Sequence, residues 1–181
     1  MKLLVQRVLA ASLTFKPQQP SPAAATPRTV ERTINHGLLV YQSLTTADAN
    51  LSPHTLSTWG ANLMTFKFFS EDFVNRLDGN NDCLTSDPST TRLTLSLNDV
   101  AGSLLLVSQI TLYGQFKNQR KPSYTESAPP HSAKEIYERF YKILQESLPP
   151  PGKVQSGSFG AHMDIRAILD GPVTFSFEVN S

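Results

Sequence analysis

Leu104-Leu105-Leu106-Val107 runs straight into Ser108-Gln109-Ile110-Thr111-Leu112, and that change from apolar to polar decides how the chain is read. The aliphatic run shows no alternation, which is how a strand covered on both faces reads. A strand of that kind sits in the middle of a sheet. Carried on as one strand over 103–112, period-two geometry places Gln109 and Thr111 on one face and Ser108 and Ile110 on the other. An amide and a hydroxyl then project side by side from the end of a core strand. Such groups either bond neighbouring backbone or are held for a ligand.

A second segment near the end of the chain has the same character. Gly171-Pro172-Val173-Thr174-Phe175 opens a stretch in which Val173, Phe175, Phe177 and Val179 alternate with Thr174, Ser176 and Glu178. Proline at a strand start costs no ladder bond, and the glycine before it permits backbone conformations closed to other residues.

The two segments together resemble the paired signature of the D-aminoacyl-tRNA deacylases, and the resemblance runs along nearly the whole chain in order. Gln6-Arg7-Val8 and Ala11-Ser12 match that family's opening strand, Gly37-Leu38-Leu39-Val40 its second, and Asn98-Asp99-Val100 precedes the Ser-Gln-x-Thr-Leu strand. Leu112-Tyr113-Gly114, Arg120-Lys121-Pro122-Ser123-Tyr124, a helix around Tyr137, Phe159-Gly160-Ala161-x-Met163 and Gly-Pro-Val-Thr repeat its C-terminal half.

The sequence is 181 residues long with a hydrophobic fraction of 39%, enough for one domain around one core. Family members are commonly shorter, so the extra length is expected in insertions: a proline-rich loop near 17–33 and a second, rich in Asn, Asp and Ser, near 72–91. A net charge of +1 neither announces nor excludes a nucleic-acid partner. Lys117-Asn118-Gln119-Arg120-Lys121 is a dense basic run, readable as a solvated loop or as a phosphate contact. Cys83 is the lone cysteine, so no internal disulfide forms, and a reducing compartment is compatible. Gln6 and Arg7 interrupt the opening apolar stretch, and no run approaches the ~20 apolar residues of a membrane span. A cytoplasmic protein is expected.

Strands are predicted near 2–9, 11–16, 37–44, 65–70, 92–97, 103–112, 154–159, 162–169 and 172–179. One helix begins after Ser52, an N-cap followed by Pro53, and carries Leu56, Trp59, Leu63 and Met64. Another begins at the capping box Ser132-Ala133-Lys134-Glu135, with Ile136, Phe140, Ile143 and Leu144 as its buried stripe. The expected class is α+β: a strongly curled, barrel-like mixed sheet with a few outer helices.

His36, His54, His131 and His162 are scattered and lack metal-site spacing; no metal or cofactor is expected. An aminoacyl-tRNA ester is activated, so positioning and oxyanion stabilisation can suffice for its hydrolysis. The resemblance implies that Ser108, Gln109, Ile110 and Thr111 form the catalytic segment. Amides near Gln109 and Ile110 would face the ester carbonyl, and the substrate's 2′-hydroxyl would assist. Thr111 is either an orienting group or a nucleophile; a nucleophile needs an adjacent base, and the sequence offers no evident one. The resemblance further implies a homodimer in which a cis Gly171–Pro172 peptide enters the neighbouring subunit's pocket at the 3′ end of the tRNA. Its carbonyl oxygens would hold the substrate ammonium, Arg7 would fix the motif's orientation, and Phe159 and Met163 would line the pocket.

The chain departs from the family pattern at Ile110, where Phe is common, at Leu169, where Asn is usual, and at Leu93-Thr94. The expected activity is hydrolysis of D-aminoacyl-tRNA to tRNA and D-amino acid. The alternatives are an editing relative selective for L-alanyl-tRNA, which would need a trans Gly-Pro and a wider pocket, and a non-catalytic nucleic-acid-binding protein on the same scaffold.

Overall fold

Side-chain alternation along two neighbouring strands divides the interior in two. Leu38, Val40, Leu104 and Leu106 join the larger aliphatic cluster, while Leu39, Leu105 and Val107 point the other way into a smaller one with Val8, Ala11 and Leu13. All four residues of the 104–107 run are fully buried, as expected of a strand covered on both faces.

The computed structural model describes residues 1–16, 29–77, 92–116 and 120–179. In chain order the elements are β1 (Lys2–Phe15), β2 (Val30–Ile34), β3 (Gly37–Ser43), α1 (Pro53–Thr65), β4 (Lys67–Phe69), α2 (Glu71–Leu77) and β5 (Leu95–Ser96). They continue as β6 (Ser103–Ser108), β7 (Gln115–Phe116), β8 (Pro122–Ser123), α3 (Pro130–Ser147), β9 (Val154–Ser156) and β10 (Met163–Glu178). The main sheet has the order β10-β1-β3-β6-β9, with β2 also paired to β1. β3, β6 and β9 run parallel, and the remaining pairings are antiparallel. The result is a single α+β domain whose mixed sheet curls toward a barrel.

The helices lie over the larger cluster. Ser52 caps α1, its Oγ accepting from the Thr55 N–H at 3.0 Å, with Pro53 at the first helical position. Leu56, Leu63 and Met64 of α1 and Ile136, Phe140 and Leu144 of α3 are buried. The two helices approach closely at Gly60, where an added Cβ would sit 2.9 Å from Ile143 Cγ2.

Several sequence expectations are corrected. The strand over 103–112 ends at Ser108, because its neighbours β3 and β9 end at Ser43 and Ser156 and leave no ladder for residues beyond. The strands expected at 2–9 and 11–16 are one strand, Lys2–Phe15, and those expected at 162–169 and 172–179 are one strand, Met163–Glu178. The strand expected at 154–159 stops at Ser156, and a turn follows in which Ala161 N–H donates to Ser158 O. Helix α3 starts two residues before the expected capping box, at Pro130, so Ser132 lies inside the helix and caps nothing. Residues 30–33 of the first expected insertion pair with β1, and residues 72–77 of the second lie in α2. Residues 17–28 and 78–91, with Cys83 among them, and residues 117–119 lie outside the described residues.

Candidate active site

The parallel strands β3 and β6 end side by side, with Gln42 opposite Ser108. The Gln109 N–H donates to Gln42 O at 2.8 Å, which is the last bond of that ladder. The chain then turns through a single 3-10 turn, Ile110–Tyr113. At these strand ends opens a pocket of about 380 Å³, walled by Ser108, Gln109, Ile110, Thr111, Tyr137 and Phe159 among others. Residues 108–111, expected to be catalytic, and Phe159 are therefore brought together.

Thr111 Oγ1 accepts a hydrogen bond from the Gln109 side-chain amide. That neighbour is a donor and takes no proton, so it cannot activate the hydroxyl as a nucleophile. The Gln109 backbone amide is committed to Gln42 and does not face the pocket as an oxyanion donor; the Ile110 amide has no acceptor among the described residues. Tyr137 OH lies 2.9 Å from Leu106 O and 3.2 Å from Gly157 O and donates to these carbonyls. Burial pushes its pKa up despite a lowering influence from Ser156, so the phenol is a protonated structural donor. Gln42 Oε1, Ser43 Oγ and Ser127 Oγ, which belong to residues lining the same pocket, are buried without a hydrogen-bond partner among the described residues.

Arg7, Gly171 and Pro172 form a second group outside that pocket. Gln6 pairs with Thr174 and Val8 with Leu169, which leaves Arg7 alone opposite the bulge 170–173. The Gly171–Pro172 peptide is cis, and both residues are exposed. Arg7 is buried, donates from Nη1 to Phe68 O at 3.0 Å, and sets Nη2 2.5 Å from Asp170 Oδ2. This last contact is an ion pair rather than an aligned hydrogen bond. Burial pulls the Arg7 pKa down and Asp170 opposes that shift. Met163 does not join the pocket wall; it packs with the smaller cluster and crowds Gly157, where an added Cβ would lie 2.3 Å from its Sδ.

Two sets of residues were not singled out from the sequence. Gln42 and Ser43 break an apolar strand at its end just as Ser108 and Gln109 do, so the same signal was available. Asp170 was hidden by its neighbours in the motif; the clue was a charged residue between Leu169 and Gly171 and a buried arginine needing a partner. Among the described residues, no three His, Cys, Asp or Glu side chains converge as metal ligands.

A family model described as D-Tyr-tRNA(Tyr) deacylase matches residues 4–178. A D-aminoacyl-tRNA deacylase of Exiguobacterium sibiricum is 34% identical over 98% of this chain and 99% of that protein. Its counterpart in Petrotoga mobilis is 31% identical over 96% and 94%. The Thermosipho africanus enzyme is 48% identical, but over 49% of this chain and 57% of that protein. Among solved structures, a c-Myc DNA unwinding element binding protein aligns at TM-score 0.73 and 24% identity, covering 100% of both chains. A probable eukaryotic D-amino acid tRNA deacylase aligns at 0.68 and 16%, covering 97% of each. At these identities the structural matches speak for the fold. The family model and the two full-length relatives thus place the chain in a class of proteins described as aminoacyl-tRNA deacylases. Within that class, the chain belongs to the D-Tyr-tRNA(Tyr) deacylase family.

Proposed function

We propose that this protein is a chiral proofreading hydrolase that cleaves the ester of D-aminoacyl-tRNA, acting in the cytoplasm as a homodimer. The observation that carries the reading is the family relationship across residues 4–178, which includes both the pocket turn at 108–111 and the Gly171–Pro172 bulge.

The pocket supports positional catalysis. With the ester carbonyl near the turn, the Ile110 amide, which has no acceptor among the described residues, is a donor for a developing oxyanion. Water adds to the carbonyl carbon, assisted by the 2′-hydroxyl of the terminal ribose; the acyl C–O bond then breaks and the departing 3′ oxygen takes a proton. Thr111, held by Gln109, orients this arrangement. Gly171 and Pro172 face solvent in their own chain, on a strand that also exposes Ile168 and Leu169, 61% and 45% accessible. A two-fold partner would cover this apolar stretch and receive the motif in its own pocket. Carbonyl oxygens there would hold the substrate ammonium and place an L-side chain in collision with the motif.

Parallel incubation with D-Tyr-tRNA, L-Tyr-tRNA and L-Ala-tRNA tests the proposal. Loss of the D-ester alone is expected. Selective loss of L-Ala-tRNA would transfer the protein to the editing alternative, and binding without loss of any ester would transfer it to the non-catalytic one.

A further inference from the structure

Asp170 precedes the Gly171–Pro172 motif and is 1% exposed. Its two carboxylate oxygens are held by two arginines from opposite regions of the chain: Oδ2 by Arg7 of β1 and Oδ1 by Arg76 of α2. Arg76 comes from the segment that the sequence marks as an insertion. We propose that Arg76 is a positioning residue that fixes the Gly171–Pro172 motif by clamping Asp170, an inference that rests on the substrate-holding role proposed for that motif.

The inserted helix is built to deliver this side chain. The Phe73 N–H donates to Ser70 Oγ at 3.3 Å, tying the start of α2 to the end of β4. Phe73 is fully buried, packs on Phe69 with ring centroids 4.9 Å apart, and lies 5.2 Å beneath the Arg7 guanidinium. The ring thus anchors the helix and supports the first arginine, while Arg76, one turn further on, reaches the same carboxylate. Its side chain remains 21% accessible, so it closes the site from the solvent side.

A second clamp has a physical consequence. A carboxylate held at one oxygen can pivot about its last side-chain bond; held at both, its plane is fixed. Two guanidiniums facing one carboxylate also leave an excess positive charge. Arg7 feels repulsion from Arg76 and attraction to Asp72, the other acid acting on it. That charge attracts the Asp170 carboxylate from two sides. The next residue, Gly171, has φ +110° and lies beside Arg7, whose Nη2 would be 3.6 Å from an added Cβ. Orientation at Asp170 therefore passes to the first peptide of the motif.

The test compares wild type, Arg76→Met and Arg76→Lys in three measurements: thermal melting, amide hydrogen exchange over residues 169–174, and kcat/KM for D-Tyr-tRNA against L-Tyr-tRNA. Arg76→Met is expected to melt cooperatively, because Arg7 still pairs Asp170. Exchange over 169–174 should rise, and D-ester kcat/KM should fall by about tenfold or more, the scale of a small misplacement of a positioning group. Arg76→Lys, which keeps the charge without the fork, should recover part of both and carries the test if the Met variant does not fold. Unchanged exchange and unchanged D-ester kinetics in a folded Met variant, beside an active wild type, would overturn the clamp alone. A wild type inert toward both esters would overturn the motif's proposed role, and the clamp's function with it.

Discussion

Tyr137→Phe removes one oxygen from the wall of the pocket and separates structure from chemistry there. The hydroxyl donates into a site where Leu106 O and Gly157 O lie within hydrogen-bond distance, at 2.9 and 3.2 Å. Leu106 O also accepts the Gly157 N–H at 3.0 Å, so the substitution leaves Gly157 O as the poorer-served carbonyl. Losing a buried hydrogen bond and leaving an acceptor short costs about 1–2 kcal/mol. For a chain of this size that corresponds to a fall of roughly 2–8 °C in melting temperature. Because the phenol is committed to backbone and burial keeps it protonated, D-ester hydrolysis per folded molecule should change by less than about threefold, far short of the ~10²–10⁴-fold contribution of a general acid or base. Thermal melts paired with single-turnover kinetics decide the matter. An unchanged melting temperature with a hundredfold slower reaction would refute the assignment and make Tyr137 a catalytic acid.

Light scattering at micromolar concentration should report two chains per particle; a monomer would remove the partner that the exposed motif requires. Gly171→Ala forces φ +110° on a residue with a Cβ that would sit 2.7 Å from Val173 N, a strain of about 1–3 kcal/mol. Loss of D-ester activity with a lowered melting temperature is expected, and wild-type kinetics would show that the bulge relaxes freely. Stability should also fall in alkali. Burial raises Tyr137, and raises Tyr113 to about 12 with help from Asp48, Glu178 and Glu126, while unfolded phenols ionise near 10 (~10 in peptides). The unfolded chain then releases protons that the folded one retains, so this stability is fully present below about pH 10 and is lost as pH rises through the folded-state values. Melting temperatures from pH 8 to 11 that stay level would contradict it.

The parts of the fold that were legible in the sequence are those whose pattern reports burial directly. The 104–107 run reads as a two-faced strand and Ser52-Pro53 as a helix start, because each signal is local. The strand's end was illegible because it depends on where β3 and β9 stop, and no residue at 109–112 announces the missing partners. Helix α2 escaped for a related reason. It is short, its polar and apolar residues are mixed, and its buried anchor, Phe73, finds Phe69 and Arg7 only in the folded chain. The candidate site divides in the same way: Ser108 to Thr111 and Phe159 line one pocket, whereas Met163 turns to the smaller cluster, since alternation along β10 constrains its face but not which cavity lies beneath it.

The claim at the centre of this account is that the chemistry is positional, with no nucleophile supplied by the protein. Single-turnover hydrolysis of D-Tyr-tRNA by Thr111→Ala tests it most directly, because Thr111 carries a hydroxyl in the turn proposed to be catalytic and its partner, the Gln109 Nε2 amide, donates to it and is no base. A rate within about tenfold of wild type is expected, the loss of an orienting hydrogen bond. A fall by several orders of magnitude, partial recovery in Thr111→Ser and an acyl group trapped on the wild-type Thr111 would contradict it.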